Sequence, residues 1–73
     1  MTINDLLIIK SGRCYVSGIY QDTLYVCHDL NGAKIFCDKA KAKKYIKNIK
    51  DIEFKIVYLY EEIEGEWNNE KFI

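Results

Sequence analysis

Residues 38–63 read DKAKAKKYIKNIKDIEFKIVYLYEEI, and this stretch decides the predicted fold. Its first half places apolar residues at positions i, i+3, i+4 and i+7, which is the spacing of one face of an α-helix. These residues are Ala42, Tyr45, Ile46 and Ile49. Its second half alternates apolar with charged residues, which is the spacing of a β-strand. The stretch therefore predicts an amphipathic helix followed by a strand.

The predicted helix has a nearly uniform positive surface. Asp38 is a residue type that caps helix N-termini, and the segment from Asn48 to Asp51 is expected to end the helix. The positions outside the apolar stripe are occupied by Lys39, Lys41, Lys43, Lys44, Lys47 and Lys50. The strand that follows is predicted over 52–63. Because residues 56–59 are apolar on both faces, we expect this strand either to lie in the centre of the sheet or to have a helix on one face and another surface on the other.

The first half of the chain predicts further strands over 14–20 and 23–29, joined by a turn at Gln21-Asp22. Asn31-Gly32 favours a type I′ turn, because both residues tolerate positive φ. It predicts a second hairpin in which residues 33–37 pair back onto the strand over 23–29.

Thr2-Ile-Asn-Asp5 resembles a capping box, so residues 3–10 are predicted as a short helix, with a strand as the open alternative. The expected fold class is α+β: one domain over 1–73 with a small, mainly antiparallel four-stranded sheet and the Lys-rich helix packed on one face. The element order is (α or β)-β-β-β-α-β. Residues 64–73 are expected to form either a short helix or a mobile acidic tail.

The composition argues against an enzyme and against a membrane protein. A chain of 73 residues builds only a small core, and it has little room for a deep catalytic cleft. The longest apolar run, over 6–9, is too short to span a bilayer. Three cysteines do not form a secreted disulfide framework. We therefore expect a soluble, cytoplasmic protein without a cofactor or a catalytic residue.

The residues that could bind zinc or form a nucleophilic site are few. The ligand types present are Cys14, Cys27, His28 and Cys37, but their spacing lacks a Cys-x-x-Cys knuckle. A regular hairpin around the Gln21-Asp22 turn sets Tyr15 opposite His28 and Cys14 opposite Asp29. It therefore leaves the imidazole without a neighbouring cysteine, and neither a metal site nor a catalytic pair is expected.

The charges of this electrically neutral chain are segregated into two blocks. The acidic block beyond residue 50 contains aromatic residues of the kind that anchor protein interfaces. Its candidate partner-binding residues are Tyr58, Tyr60, Glu61, Glu62, Glu64, Glu66 and Trp67. The same acids would equally form a solubilising tail, or one that folds back onto the Lys-rich helix.

The lysine block is a second candidate surface, for the phosphates of a nucleic acid. Its candidate residues are Lys39, Lys41, Lys43, Lys44 and Lys47. A solvated helix face explains them as well, because the block contains no arginine and the chain has no net positive charge to steer a polyanion.

The opening Met1-Thr-Ile-Asn-Asp-Leu6 resembles the start of small anti-CRISPR proteins that inhibit Cas9. The resemblance implies a non-enzymatic inhibitor from a phage or mobile element, which docks on a host protein such as a CRISPR effector nuclease. It assigns a role to no individual residue. Together with the acidic block, it leads to the prediction of a protein-binding inhibitor that acts by steric blockade or acidic mimicry. A nucleic-acid-binding or regulatory domain is the alternative, and the chain is expected to be a monomer or a homodimer paired through a sheet edge.

Overall fold

The computed structural model describes residues 5–63. Its elements are β1 (Leu7–Ser11), β2 (Cys14–Tyr20), β3 (Thr23–Cys27), α1 (Lys39–Tyr45) and β4 (Lys55–Tyr58). Residues 59–63 form a further helical segment, here called the 59–63 segment. The four strands make one antiparallel sheet in the order β3-β2-β1-β4. The predicted α+β class with a four-stranded antiparallel sheet is confirmed.

Strand β1 lies inside the sheet and is buried on both faces. For residues 3–10 the sequence predicted a short helix or a strand, and the structure shows a strand over Leu7–Ser11. Thr2 of the capping pattern lies outside the described residues. Ile8 and Ile9 are both fully buried, and successive strand residues point to opposite faces. Ile9 packs with Val16 on the face that α1 covers, and Ile8 packs with Tyr15 on the other face. Each face of β1 therefore supports its own hydrophobic cluster.

The turn between β2 and β3 is the tight two-residue turn predicted at Gln21-Asp22. Both residues have positive φ, 51° and 63°, and the flanking residues Tyr20 and Thr23 pair with each other. The ladder is interrupted by a bulge between Val16 and Gly18. Because of this bulge, Val16 and Tyr15 each pair with a β3 residue one position earlier in the sequence than a regular hairpin would give.

The predicted hairpin at Asn31-Gly32 is wrong. Residues Leu30–Gly32 form a 3-10 turn, and neither Asn31 nor Gly32 has positive φ. The Asp29 carboxylate accepts a hydrogen bond from the Asn31 N–H at 2.9 Å, and this local cap competes with a type I′ turn. A Cβ at Gly32 would lie 2.9 Å from Cys27 Sγ, so the glycine is explained by a close approach rather than by hairpin geometry.

Instead of pairing with β3, residues 34–36 lie between β1 and β2. The β1–β2 ladder extends only to Lys10 and Tyr15. Beyond it, the Lys34 N–H donates to the Val16 carbonyl at 2.9 Å. Leu7 and Phe36 exchange two backbone hydrogen bonds of 2.8 Å each. The inserted segment thus satisfies backbone groups of both strands and buries the Phe36 ring in the core beneath α1.

Helix α1 begins at the predicted cap, since Asp38 Oδ1 accepts a hydrogen bond from the Ala40 N–H at 2.9 Å. Its apolar stripe packs on the sheet as predicted: Ala42 is fully buried, and Tyr45 and Ile46 contact the cluster around Ile9. The helix ends at Tyr45, one turn earlier than predicted.

The final predicted strand is shorter than expected, and it is not central. Strand β4 pairs only with β1, and it forms one edge of the sheet. The chain becomes helical at Leu59, whose side chain is buried against Ile8 and Tyr15. Residues 56–59 are therefore apolar on both faces because Ile56 packs on the α1 side, while Val57 and Leu59 pack on the opposite side.

The Tyr45 hydroxyl should contribute measurably to stability. It accepts a hydrogen bond of 2.8 Å from the Ile19 N–H of β2, at a point where β1 no longer pairs with β2. Tyr45→Phe leaves this partly buried N–H unpaired and should lower the free energy of unfolding by about 1–2 kcal/mol. Chemical denaturation measures the change. Tyr20→Phe, at a tyrosine that is 64% exposed, is the matched control and should be nearly neutral.

Candidate functional site

The described acidic candidates lie where β4 passes into the 59–63 segment. Tyr58 is the last residue of β4, and Tyr60, Glu61 and Glu62 belong to the helical segment. The remaining candidates, Glu64, Glu66 and Trp67, lie outside the described residues. The predicted surface is thus defined here by its first four members.

Glu62 is held by the protein itself. Its Oε1 lies 2.9 Å from Lys10 Nζ and accepts a hydrogen bond of 3.1 Å from the Tyr15 hydroxyl. Its side chain is only 20% exposed, and Lys10 Nζ lies 5.8 Å from the Tyr15 ring centroid. Glu62 therefore ties the 59–63 segment to the sheet and is not free to contact a partner. Its ion-pair and hydrogen-bond partners come from β1 and β2, which are distant in sequence. Local sequence patterns therefore gave no signal of this role.

The other three candidates, with Ile63, form a surface that we call the Tyr58 patch: Tyr58, Glu61 and Ile63 are exposed, and Tyr60 is half-buried. Tyr58 is 46% exposed and Ile63 40% exposed, although both are large apolar side chains. The Tyr58 and Tyr60 rings lie 5.8 Å apart between centroids at an interplanar angle of 38°. Glu61 is exposed beside them. The patch combines a preformed aromatic pair with one uncommitted carboxylate.

Tyr58 also borders an open depression of about 550 Å³ in front of α1. Its lining residues are Asp5, Leu7, Cys37, Asp38, Lys39 and Tyr58. The depression places a concave surface of mixed charge next to the aromatic pair, so a partner docked on Tyr58 would also reach the start of α1.

The five candidate lysines lie on α1 or just after it, and one of them, Lys39, also lines the depression beside Tyr58. All of them are exposed, and the ion pair found within residues 5–63, Lys10–Glu62, involves none of them. Helix α1 covers the Ile9 face of β1, whereas Leu59 covers the Ile8 face. Among the described residues, the lysines and the 59–63 segment therefore lie on opposite faces of the sheet, and neither neutralises the other.

The expectation that no cysteine neighbours His28 is wrong. The bulge shifts the register so that Tyr15 pairs with Cys27, and this sets Cys14 opposite His28. Cys14 Sγ lies 3.6 Å from His28 Nδ1. Gly18 inside a strand is the sequence signal that could have indicated the bulge.

Within residues 5–63, the structure gives His28 no hydrogen-bonded third group of the kind that orients a catalytic base. The nearest acidic residue in sequence, Asp29, already uses its carboxylate to cap the 3-10 turn. Within residues 5–63 there is also no group of three or more side chains that could hold a metal ion.

In the part of the chain that the structure describes, no helix has the length and apolar character needed to cross a membrane. Comparison with protein-family models, with curated proteins and with solved structures finds no match to this chain. The function must therefore be inferred from the surfaces themselves.

The attachment of the 59–63 segment can be measured by a double-mutant cycle with Lys10→Met and Glu62→Gln. Because both side chains are partly exposed, we expect a coupling energy of about 0.5–1 kcal/mol. Equilibrium unfolding of the four proteins measures the coupling. Glu61→Gln, combined with Lys10→Met in the same way, is the control and should give no coupling.

Proposed function

We propose that this chain is a non-enzymatic inhibitor that binds a host nucleic-acid-handling protein. A cytoplasmic protein of phage or mobile-element origin, acting on a partner such as a CRISPR effector nuclease, is the form of this proposal that the Met1–Leu6 resemblance supports. The Tyr58 patch is the proposed contact surface. It presents the exposed ring of Tyr58 and the half-buried ring of Tyr60 at the β4 edge of the sheet.

The observation that carries the proposal is the Tyr58–Tyr60 ring pair, in which Tyr58 is 46% exposed and Tyr60 is half-buried. Tyrosine provides large contact area at low entropic cost, and it is enriched among the residues that dominate binding energy. The pair stands where β4 meets the 59–63 segment, and the Glu62 contacts hold that junction to the sheet. The rings are therefore presented by a supported junction.

The charge of the patch favours a basic partner surface. Glu61 is the described carboxylate free to face it, since Glu62 pairs with Lys10. Proteins that handle nucleic acids carry basic grooves, and a carboxylate beside apolar anchors can occupy such a groove in place of a phosphate. With one free carboxylate among the described residues of the patch, steric blockade by the aromatic pair is the larger part of the mechanism, and acidic mimicry is the smaller part.

A pull-down tests the existence of a protein partner. The tagged chain is used to capture proteins from a lysate of a low-GC bacterium, with and without nuclease treatment. A partner retained equally after nuclease treatment supports direct protein binding. Capture that disappears with nuclease, or no specific capture, contradicts it.

Substitutions in the patch should weaken the complex with the captured partner to different degrees. Tyr58→Ala removes an anchoring ring and should raise Kd by about 30-fold or more, equivalent to about 2 kcal/mol. Glu61→Lys should mainly slow association, and its effect should shrink at high salt. Biolayer interferometry measures both effects.

Glu53→Lys is the matched control, because Glu53 is an exposed acid in the loop before β4. Equal effects of Glu61→Lys and Glu53→Lys would reduce the acidic contribution to a general charge effect. An unchanged Kd for Tyr58→Ala would remove the patch as the contact surface.

A second candidate function, nucleic-acid binding by α1, is favoured by the exposure of its lysines. Lys39, Lys41, Lys43 and Lys44 of α1, and Lys47 just beyond its C-terminus, are all exposed on the face of the sheet opposite to the 59–63 segment. Such a surface can contact a phosphate backbone, although without arginine it offers no bidentate reader of bases.

A salt titration tests this second function. If the lysines contact phosphates, fluorescence anisotropy with short DNA and RNA should show an affinity that falls steeply with salt. Replacing Lys43 and Lys44 by Gln should reduce the slope by about one to two ions. Absence of binding at low salt would leave the lysines as a solvated face.

A further inference from the structure

Among residues 5–63, no strand pairs with the outer edge of β3, which is an uncharged strand. Strand β3 stands at one end of the strand order, and its sequence, Thr-Leu-Tyr-Val-Cys, contains neither charge nor proline. Tyr25 is 50% exposed and Val26 is 46% exposed. Edge strands of this kind readily pair with another strand, and natural proteins usually block them with lysine, proline or a bulge.

The hydrogen-bonding direction of β3 follows from its register with β2. Thr23 pairs with Tyr20 across the two-residue turn, and Tyr25 pairs with Gly18. The residues that close such a turn form a hydrogen-bonded pair, and alternate residues point their backbone groups to opposite edges. Thr23 and Tyr25 therefore bond towards β2, while Leu24 and Val26 direct their N–H and C=O groups outward.

We propose that β3 pairs antiparallel with β3 of a second copy of this chain, about a twofold axis that passes beside Tyr25. In this register Leu24 of each copy faces Val26 of the other, and each such pair exchanges two backbone hydrogen bonds. The outward N–H and C=O groups of four residues, Leu24 and Val26 of each copy, are then all hydrogen-bonded. The result is a continuous eight-stranded sheet in a closed, isologous dimer.

The charges that flank β3 select this register. Antiparallel pairing about Tyr25 brings Asp22 of one copy beside His28 of the other, on both sides of the axis. The imidazole can donate a hydrogen bond to the carboxylate. Shifting one β3 strand by two residues along the other places Asp22 beside Val26 in one direction and beside Leu30 in the other. Either shift loses the Asp22–His28 pair.

The side chains on the axis also match. Tyr25 of one copy lies opposite Tyr25 of the other. The two residues form a non-hydrogen-bonded pair, the kind in which side chains approach most closely. Tyr20 lies 5.7 Å from Tyr25 between ring centroids. Two copies would therefore assemble four tyrosine rings on one face of the sheet. The opposite edge, β4, begins with the exposed Lys55, a residue type that discourages edge pairing.

Sedimentation equilibrium tests the dimer on the full chain. We expect a monomer–dimer equilibrium that Val26→Lys shifts to monomer, because a lysine on an edge strand discourages pairing and here replaces the apolar side chain that faces Leu24 of the other copy. Ile52→Lys is the matched control: Ile52 is 41% exposed, lies in the loop before β4, and should leave dimerisation unchanged. A native chain that is monomeric up to millimolar concentration, or a dimer that survives Val26→Lys, overturns the proposal.

Cysteine cross-linking tests the register without a destabilising charge. A non-hydrogen-bonded antiparallel pair places its Cα atoms about 4.5 Å apart, within the range of about 4.4–6.8 Å that a disulfide spans. With oxidised glutathione as the oxidant, Tyr25→Cys should form a disulfide between the two introduced cysteines, identified by mass spectrometry. Tyr20→Cys, at a tyrosine on β2 that is more exposed than Tyr25, should not. Equal cross-linking of both variants, or none at Tyr25→Cys, contradicts the twofold axis.

Discussion

The burial of β1 on both of its faces is the constraint on which the rest of the structure depends. Leu7, Ile8 and Ile9 are consecutive and buried, so the chain must supply cover for two opposite faces from only 73 residues. Helix α1 covers the side of Leu7 and Ile9, and Leu59 covers the side of Ile8. Burying a large apolar side chain stabilises a fold by about 1.5–3 kcal/mol. In a domain this small, three such residues on one strand make up a large share of the core.

That arrangement also separates the two charged surfaces. The apolar stripe of α1 faces the sheet, so its lysines face away from it. The 59–63 segment must reach the other face to place Leu59 against Ile8, and it carries Glu61 there. Glu62 then secures the segment through Lys10 and Tyr15. The bipolar character of the described residues is therefore a consequence of covering β1 twice.

The elements predicted correctly are those whose signals are local. The helical stripe at Ala42 and Tyr45, the Asp38 cap and the Gln21-Asp22 turn all depend on neighbours within a few residues. The errors came from competition over longer distances. Asn31-Gly32 does not form the predicted hairpin, because residues 34–36 bury Phe36 and hydrogen-bond to β1 and β2. The turn propensity of two residues carries no information about these distant contacts.

The candidate site shows the same division between features with local sequence signals and features that depend on distant residues. Exposed aromatic and acidic residues near the end of β4 could be anticipated from composition, but the commitment of Glu62 depends on Lys10 and Tyr15, residues more than 45 positions away. Likewise, one bulge in β2 brought Cys14 to His28, and no periodicity predicts that contact without the Gly18 signal. The apolar character of residues 56–59 predicted either a central strand or a strand covered on both faces, and the structure shows the second arrangement. The pattern alone could not choose between them, because both arrangements bury the same side chains.

Native-state hydrogen exchange over residues 33–37 tests the central claim most directly, because the inserted segment and an Asn-Gly hairpin protect opposite amides. In the structure, Lys34 and Phe36 donate to Val16 and Leu7, so their amides should exchange slowly, together with that of Leu7. The amides of Ile35 and Cys37 should exchange fast. Slow exchange at Ile35 and Cys37, with fast exchange at Lys34 and Phe36, would restore the hairpin and contradict the account of how β1 is enclosed.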